Sequence, residues 1–364
     1  MRLINTTEAE GHVLCHDITV IVKDVKKGVA FKKGHVVTKE DIPELLKLGK
    51  DHLYVWEKDD STYHEDEAAA ILRDICMGKN MRATEPKEGK IELVATCDGL
   101  FVIDSEKLQA VNDIEEMMIA SRHGMTPVKT GDKLAGTRVI PLVIKKDKME
   151  LAKQAAGDKP IMNVVPFKPL KVGIVTTGSE VYYGRITDTF TPVVEQKIAE
   201  YGMTVIGHEK CPDDKEMIVA AIHRLLAQGA ELILTTGGMS VDPDDKTPGA
   251  IRAAGARIVT YGAPVLPGAM LLVGYFPGEN GEVPVLGLPG CVMYAKRTIF
   301  DLVLCRVAAG IEIPVAQVDG VRAVLYGGGH RLHGSGGGEQ FQHGRKPPGG
   351  DIPLFTSCCS GSGA

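Results

Sequence analysis

The chain has 364 residues, more than one ordinary domain holds, so two or three domains are expected. Hydrophobic residues make up 44% and charged residues 24%, as in soluble globular proteins, and a net charge of −5 without a long basic run excludes a dominant nucleic-acid surface. No run approaches the roughly 18 uninterrupted apolar residues of a membrane span, and the start, MRLINTTEAEGH, lacks an apolar signal core, so a cytoplasmic protein is expected.

Residues 1–57 hold short β-type runs, GHVLCHDITVIV and HLYVW, around a helical segment, KEDIPELLKLG, whose Gly49 suits a helix end. Apolar spacings of three and four predict helices over 64–83 and 104–124, and strands are expected at IELVATC and TRVIPLVI. Residues 1–151 therefore read as an α+β region of one or two small domains without a catalytic motif. Residues 152–168 lose periodicity after Gly157 and carry Pro160 and Pro166, which reads as a linker.

From 169 to 310 the character changes. KVGIVTTG is an apolar run closed by glycine, and TPVVEQKIAEYG reads as a helix with Thr191 as cap and Pro192 in its first turn. Strand MTVIGHEKC, helix DDKEMIVAAIHRLLAQG, strand AELILTTGG and helix KTPGAIRAAG follow. Strands near ARIVTYG, MLLVGYF and VPVLGLPG come next, and CVMYAKRTIFDLVLCRVAAG closes as one long helix. The alternation predicts the α/β class, a mostly parallel sheet covered by helices, with ligands bound beyond the carboxyl ends of its strands. Residues 320–364 are glycine-rich and without periodicity, so a disordered tail is expected, and a reading-frame shift would also give this text. The eight cysteines form no CxxC pair and read as reduced structural thiols.

Three strand ends carry the chemistry: TTGSE (176–180), TTGGMS (235–240) and GLPG (287–290). Glycine turns expose backbone N–H groups to an anion, and a helix starting just beyond adds its positive end. One such turn is ordinarily only a turn; three at one sheet edge point to an anionic ligand. Asp188, the Asp213–Asp214 pair and Asp242, Asp244 and Asp245 lie on the same side, and such acids tolerate a phosphate only with a divalent cation such as Mg²⁺ between them. For Asp213 a helix-cap role stands equally open. His208 and His223 read as surface or packing residues and Trp56 as core. Cys291 begins the expected last helix, where a thiol could have a lowered pKa, though a small buried residue is the simpler reading.

In order and spacing, TTGSE, GRITDT, the PDD step, TTGGMSVDPDD, the LPGA turn and GLPG resemble the molybdopterin-binding domain shared by molybdenum-cofactor biosynthesis proteins, over about residues 169–310. More loosely, GHVLCHDI and TGDKLAGTRVIPLVI resemble the extra domains of the molybdopterin molybdenumtransferases. The resemblance implies binding of molybdopterin and Mg²⁺-dependent insertion of molybdate into adenylated molybdopterin with release of AMP. It implies ligand contacts at Thr177, Gly178, Ser179, Glu180, Gly237, Gly238, Ser240, Pro267, Gly268, Pro289 and Gly290, metal ligands at Asp242, Asp244 and Asp245, and catalytic roles for Asp188 and Asp245. It also implies homodimers.

The chain departs from the family's pattern. Ser179 stands where an acid is usual, Asp242 replaces a glycine, Leu266 and Ala269 flank the PG turn where cations are usual, and Cys291-Val292 replaces Asn-Pro. These changes make the pocket more negative and shift the load onto a bound cation. An enzyme is the favoured expectation. The alternative is a non-catalytic molybdopterin-binding accessory serving a particular molybdoenzyme partner.

Overall fold

The computed structural model describes residues 2–22, 26–55, 60–240, 242, 245–279 and 281–313. Trp56, Asp244 and the expected tail 320–364 lie outside the described residues.

The first half is α+β. Arg2–Asn5 pairs antiparallel with His52–Val55 beside the hairpin Ile18–Val22/Lys26–Phe31, and Ile4, Leu14, Leu45, Leu53 and Val55 form a small core there. A second core, around Leu72, Phe101, Ile119, Leu134, Met149 and Met162, joins helices Glu65–Cys76 and Lys146–Ala156 to a four-stranded and a three-stranded sheet. The helices expected over 64–83 and 104–124 are shorter, ending at Cys76 and Asn112, and strands Met81–Ala83 and Met117–Ser121 occupy the remainder. In the latter, Met117 and Ile119 are buried while Met118 and Ala120 are exposed, a period of two that the preceding three-residue spacings obscure. The expected linker 152–168 also differs. It contains the end of helix Lys146–Ala156 and strand Met162–Pro166, which pairs with Gly99–Ile103, the two prolines falling at and before the strand's ends.

The second half builds one six-stranded sheet. Its strands are β1 (Lys171–Thr177), β2 (Thr204–Cys211), β3 (Leu232–Thr236), β4 (Arg257–Tyr261), β5 (Leu272–Phe276) and β6 (Val283–Leu288), in the order β2-β1-β3-β6-β5-β4. Its helices are α1 (Ser179–Tyr182), α2 (Phe190–Ala199), α3 (Lys215–Ala227), α4 (Thr247–Ala253) and α5 (Ile299–Ala308). β2, β1, β3 and β6 run parallel, whereas β5 runs antiparallel to both neighbours. Among the described residues the connections 262–271 and 277–282 carry no helix, and a parallel crossover needs a dozen or more residues, so β4 and β6 reach β5 as hairpins. β4 thereby points the same way as β6.

Alternation along the strands fills both faces. Ile174, Leu234 and Leu286 meet Val194 and Ile198 of α2 and Phe300 and Leu304 of α5, while Val175, Ile233 and Val285 meet Ile222 of α3 and Ile251 of α4. The strands consequently read as unbroken apolar runs. Two helix starts differ from expectation. The carboxylate of Asp188, not Thr191, accepts the Phe190 and Thr191 N–H groups at 3.0 Å each. The long closing helix is instead a 3₁₀ turn, Gly290–Met293, followed by α5, which Thr298 and Asp301 begin with a capping box.

Candidate functional site

The strand order reverses between β1 and β3, beyond Thr177 and Thr236, which is where open α/β sheets ordinarily bind their ligands. The two turns there touch backbone to backbone. Gly237 (φ +82°) passes so near β1 that a Cβ on it would sit 2.0 Å from the Thr177 carbonyl oxygen. Gly238 (φ +55°) leaves only 2.7 Å between such a Cβ and Thr247 Oγ1. The Thr177 hydroxyl donates to the Thr236 carbonyl at 3.1 Å and lies 2.9 Å from Thr247 Oγ1, fixing β1, β3 and the start of α4 together. Tyr261, at the carboxyl end of β4, donates to the carbonyls of Met239 and Ser240 at 3.1 Å each, which holds the rest of the GGMS turn.

The helix ends contribute less open charge than the sequence suggests. α1 has four residues, and the Ser179 N–H already donates to Asp213 Oδ2 at 2.8 Å. Asp213 therefore ties the β2 end to the β1 turn, and Asp214 caps α3 through Met217 N–H at 2.8 Å. Asp188 is similarly engaged. Beyond its two backbone bonds it accepts the Thr191 hydroxyl at 2.6 Å and lies 3.7 Å from His208 Nε2. Burial acts to raise its pKa, but the Thr191 and Phe190 hydrogen bonds outweigh it, so the carboxylate stays ionised below its ordinary range.

This cluster contains groups that motif reading passed over. Thr176 Oγ1 lies 2.9 Å from His208 Nε2, 3.1 Å from Thr191 Oγ1 and 3.2 Å from Thr236 Oγ1. The signal available in the sequence was the Thr–Thr pair that ends two otherwise apolar strands, 176–177 and 235–236. Burial lowers the His208 pKa despite the opposing pull of Asp188.

The acidic turn keeps two described carboxylates. Asp245 N–H donates to the Asp242 carbonyl at 3.0 Å, and Asp242 N–H donates to Asp245 Oδ2 at 3.2 Å. Among the described residues no group of three or more His, Cys, Asp or Glu side chains could hold a metal alone. Two oxygen-only carboxylates still suit a hard cation that completes its shell from a ligand's phosphates, which is the habit of Mg²⁺.

The other expected positions are less concentrated. Glu180, Ser240 and Gly290 are exposed and Pro289 is buried at the β6 end. Pro267 and Gly268 lie against the first turn of α5, where the Pro267 carbonyl accepts Ile299 N–H at 3.3 Å and a Cβ on Gly268 would meet Ile299 at 2.5 Å. Cys291 sits in the 3₁₀ turn, and burial raises its pKa, so the lowered value considered above does not apply. A cavity of about 1250 Å³, lined by Lys171, Glu231, Glu282 and Tyr275 among others, opens at the opposite, amino-terminal ends of β1, β3 and β6. The carboxyl edge remains the better candidate, because the glycine turns and the polar cluster converge there and not at the cavity.

Residues 173–309 match the family described as a probable molybdopterin binding domain. The match spans the six-stranded half of the chain. Residues 3–57 match a domain of unknown function. A molybdopterin molybdenumtransferase from Synechococcus elongatus is 28% identical over 163 residues, 43% of this chain and 38% of that protein. A CinA-like protein from Mycobacterium sp. (strain MCS) is 36% identical over 77 residues, 21% of this chain and 18% of that protein. The chain thus aligns with well under half the length of either relative. Among solved structures, the molybdopterin biosynthesis enzyme MoaB from Thermus thermophilus is 25% identical over 42% of this chain and 97% of its own, with a TM-score of 0.32. Among the described residues no helix is long and apolar enough to cross a membrane.

Proposed function

We propose that this chain binds molybdopterin and, with Mg²⁺, inserts molybdate into adenylated molybdopterin with release of AMP, as a cytoplasmic step of molybdenum cofactor biosynthesis. The observation that carries the reading is the backbone contact of Gly237 with Thr177 inside the matched segment, because it sets two glycine turns side by side at the strand-order reversal. Gly178, Gly237 and Gly238 bring main chain close to the ligand's phosphates, and Ser179, Glu180 and Ser240 line the approach. Asp242, Asp244 and Asp245 would hold the Mg²⁺, which when bound would neutralise the pyrophosphate and the charge developing on the departing AMP. Asp188 keeps a fixed negative charge beside the β1 turn, oriented by Thr191 and next to His208.

A second reading is favoured by one observation: Asp188, Asp213 and Asp214 all serve as backbone acceptors at helix starts. On that reading the chain carries molybdopterin for a partner molybdoenzyme without turnover. Incubation with adenylated molybdopterin, Mg²⁺ and molybdate separates the two. Molybdate-dependent AMP release is expected from the enzyme; tight binding without release identifies the carrier, and no binding removes both.

A further inference from the structure

The described residues leave five tyrosines substantially exposed: Tyr54, Tyr182, Tyr183, Tyr261 and Tyr294. Four of them lie at the carboxyl edge of the six-stranded sheet or in the connections leaving it, so they are not scattered over the surface at random. Tyr182 and Tyr183 follow the Gly178 turn directly, with Tyr182 N–H donating to the Gly178 carbonyl at 2.9 Å and Tyr183 N–H to the Ser179 carbonyl at 3.0 Å. Their rings meet edge to face at 5.1 Å, and the Arg185 guanidinium stands over the Tyr183 ring at 5.4 Å. Beside these two contacts Tyr183 still exposes 63% of its surface.

An aromatic ring normally buries its large area in a core, and Arg and Tyr stacked on each other form a ready-made platform for a flat ring. We propose that Tyr183, steadied by Tyr182 and Arg185, is the stacking surface for the planar nitrogen heterocycle of a phosphate-bearing ligand held at the glycine turns. Adenine and pterin share that chemistry. The inference rests on the anionic-ligand reading of this edge and adds the residue that selects a ring over a bare phosphate. Aromatic platforms accept any flat ring face, so the selectivity is for planarity and not for a hydrogen-bonding pattern.

The test compares full-length wild type, Tyr183→Phe, Tyr183→Ala and Arg185→Ala, titrated with AMP, a pterin monophosphate and inorganic pyrophosphate, with thermal melts as a folding control. Tyr183→Ala is expected to weaken AMP, the pterin monophosphate or both about tenfold, in the range of base-on-aromatic stacking, with pyrophosphate within about twofold of wild type. Tyr183→Phe should bind as wild type and Arg185→Ala should fall in between. The arm that weakens names the ring. Equal weakening of all three ligands overturns the stacking role, as does unchanged binding of all three, and either result leaves the anion site standing. Wild type that binds none of the three overturns this inference and the anionic-ligand reading together. If Tyr183→Ala changes only the sedimentation of the protein, the tyrosines are instead a contact between copies and the proposal falls.

Discussion

Gly237 and Gly238 tie local conformation to the site most tightly. Both sit at positive φ, and side chains there would strike Thr177 and Thr247, so the turn is crowded by its own fold. The sequence revealed that glycine was needed at 237–238. It did not reveal that the obstruction is β1 rather than a ligand, because the contact joins residues far apart in the chain. A larger residue at Gly238 therefore lowers stability as well as binding. Gly237→Ala is predicted to cost about 1–3 kcal/mol of stability, seen as a lower melting temperature, whereas Gly249→Ala in α4, with open space around its Cβ, should be neutral or slightly stabilising. Equal melts for the two variants would contradict the backbone contact. His208 gives a prediction in pH. Burial, then the charge of Lys210, lowers its pKa against Asp188, Glu195 and Glu209, so the folded state binds its proton less readily than the unfolded chain. That stability is present above the ordinary histidine pKa of about 6.5 and is lost as pH falls through it. Melting temperature should fall between about pH 7.5 and about pH 5.5, and His208→Gln should flatten the decline. The same slope in both proteins would rule His208 out as its source. Asp188, with a lowered pKa, contributes in a more acidic window, present above the ordinary carboxylate value and lost below it.

At the level of elements, helices and strands of the sheet were legible from their apolar runs, and the starts of α2 and α5 were not. The reason is chemical. Asp188 reaches forward from a loop to cap α2, and the α5 capping box, Thr298 to Asp301, lies within a run whose apolar residues begin earlier, at Cys291. β5 was legible as a strand but not as an antiparallel one, although the lack of a helix pattern on either side held the clue. Asp301 also accepts the buried Lys197 ammonium at 2.6 Å, joining α5 to α2 across one face of the sheet. Asp301→Ala leaves that cation with the Lys296 carbonyl at 3.1 Å but without its carboxylate, and a loss of about 3–5 kcal/mol is expected in urea denaturation. Lys197→Met together with Asp301→Leu should recover most of the loss, because replacing both charges removes the unpaired one. A double variant no better than Asp301→Ala would place the damage in the capping box instead.

At the level of the whole molecule, the α/β class of the second half was legible, and the expected separation at 152–168 was not, because Met162–Pro166 completes a sheet begun at Gly99. Leu100 joins the large core of the six-stranded half, and Phe167 stacks edge to face on Tyr201 at 4.9 Å. We expect residues 169–313 to melt cooperatively as a separate domain, and a fragment beginning at residue 166 to melt higher because it keeps the Phe167 ring on Tyr201. Identical melts would give that stacking no part in the domain's stability. The central claim concerns the carboxyl edge, where the glycine turns were legible as motifs, whereas the Thr176, Thr191 and His208 cluster becomes visible only when β1 and β2 lie side by side. Its most direct test is calorimetric titration of the full chain with adenylated molybdopterin, with and without Mg²⁺, in wild type and Asp245→Asn. Asparagine keeps the size and the turn hydrogen bond but binds a hard cation far less well. The account predicts Mg²⁺-dependent binding by wild type, and at least about tenfold weaker binding by Asp245→Asn at an unchanged melting temperature. Binding that ignores both Mg²⁺ and the substitution would contradict it.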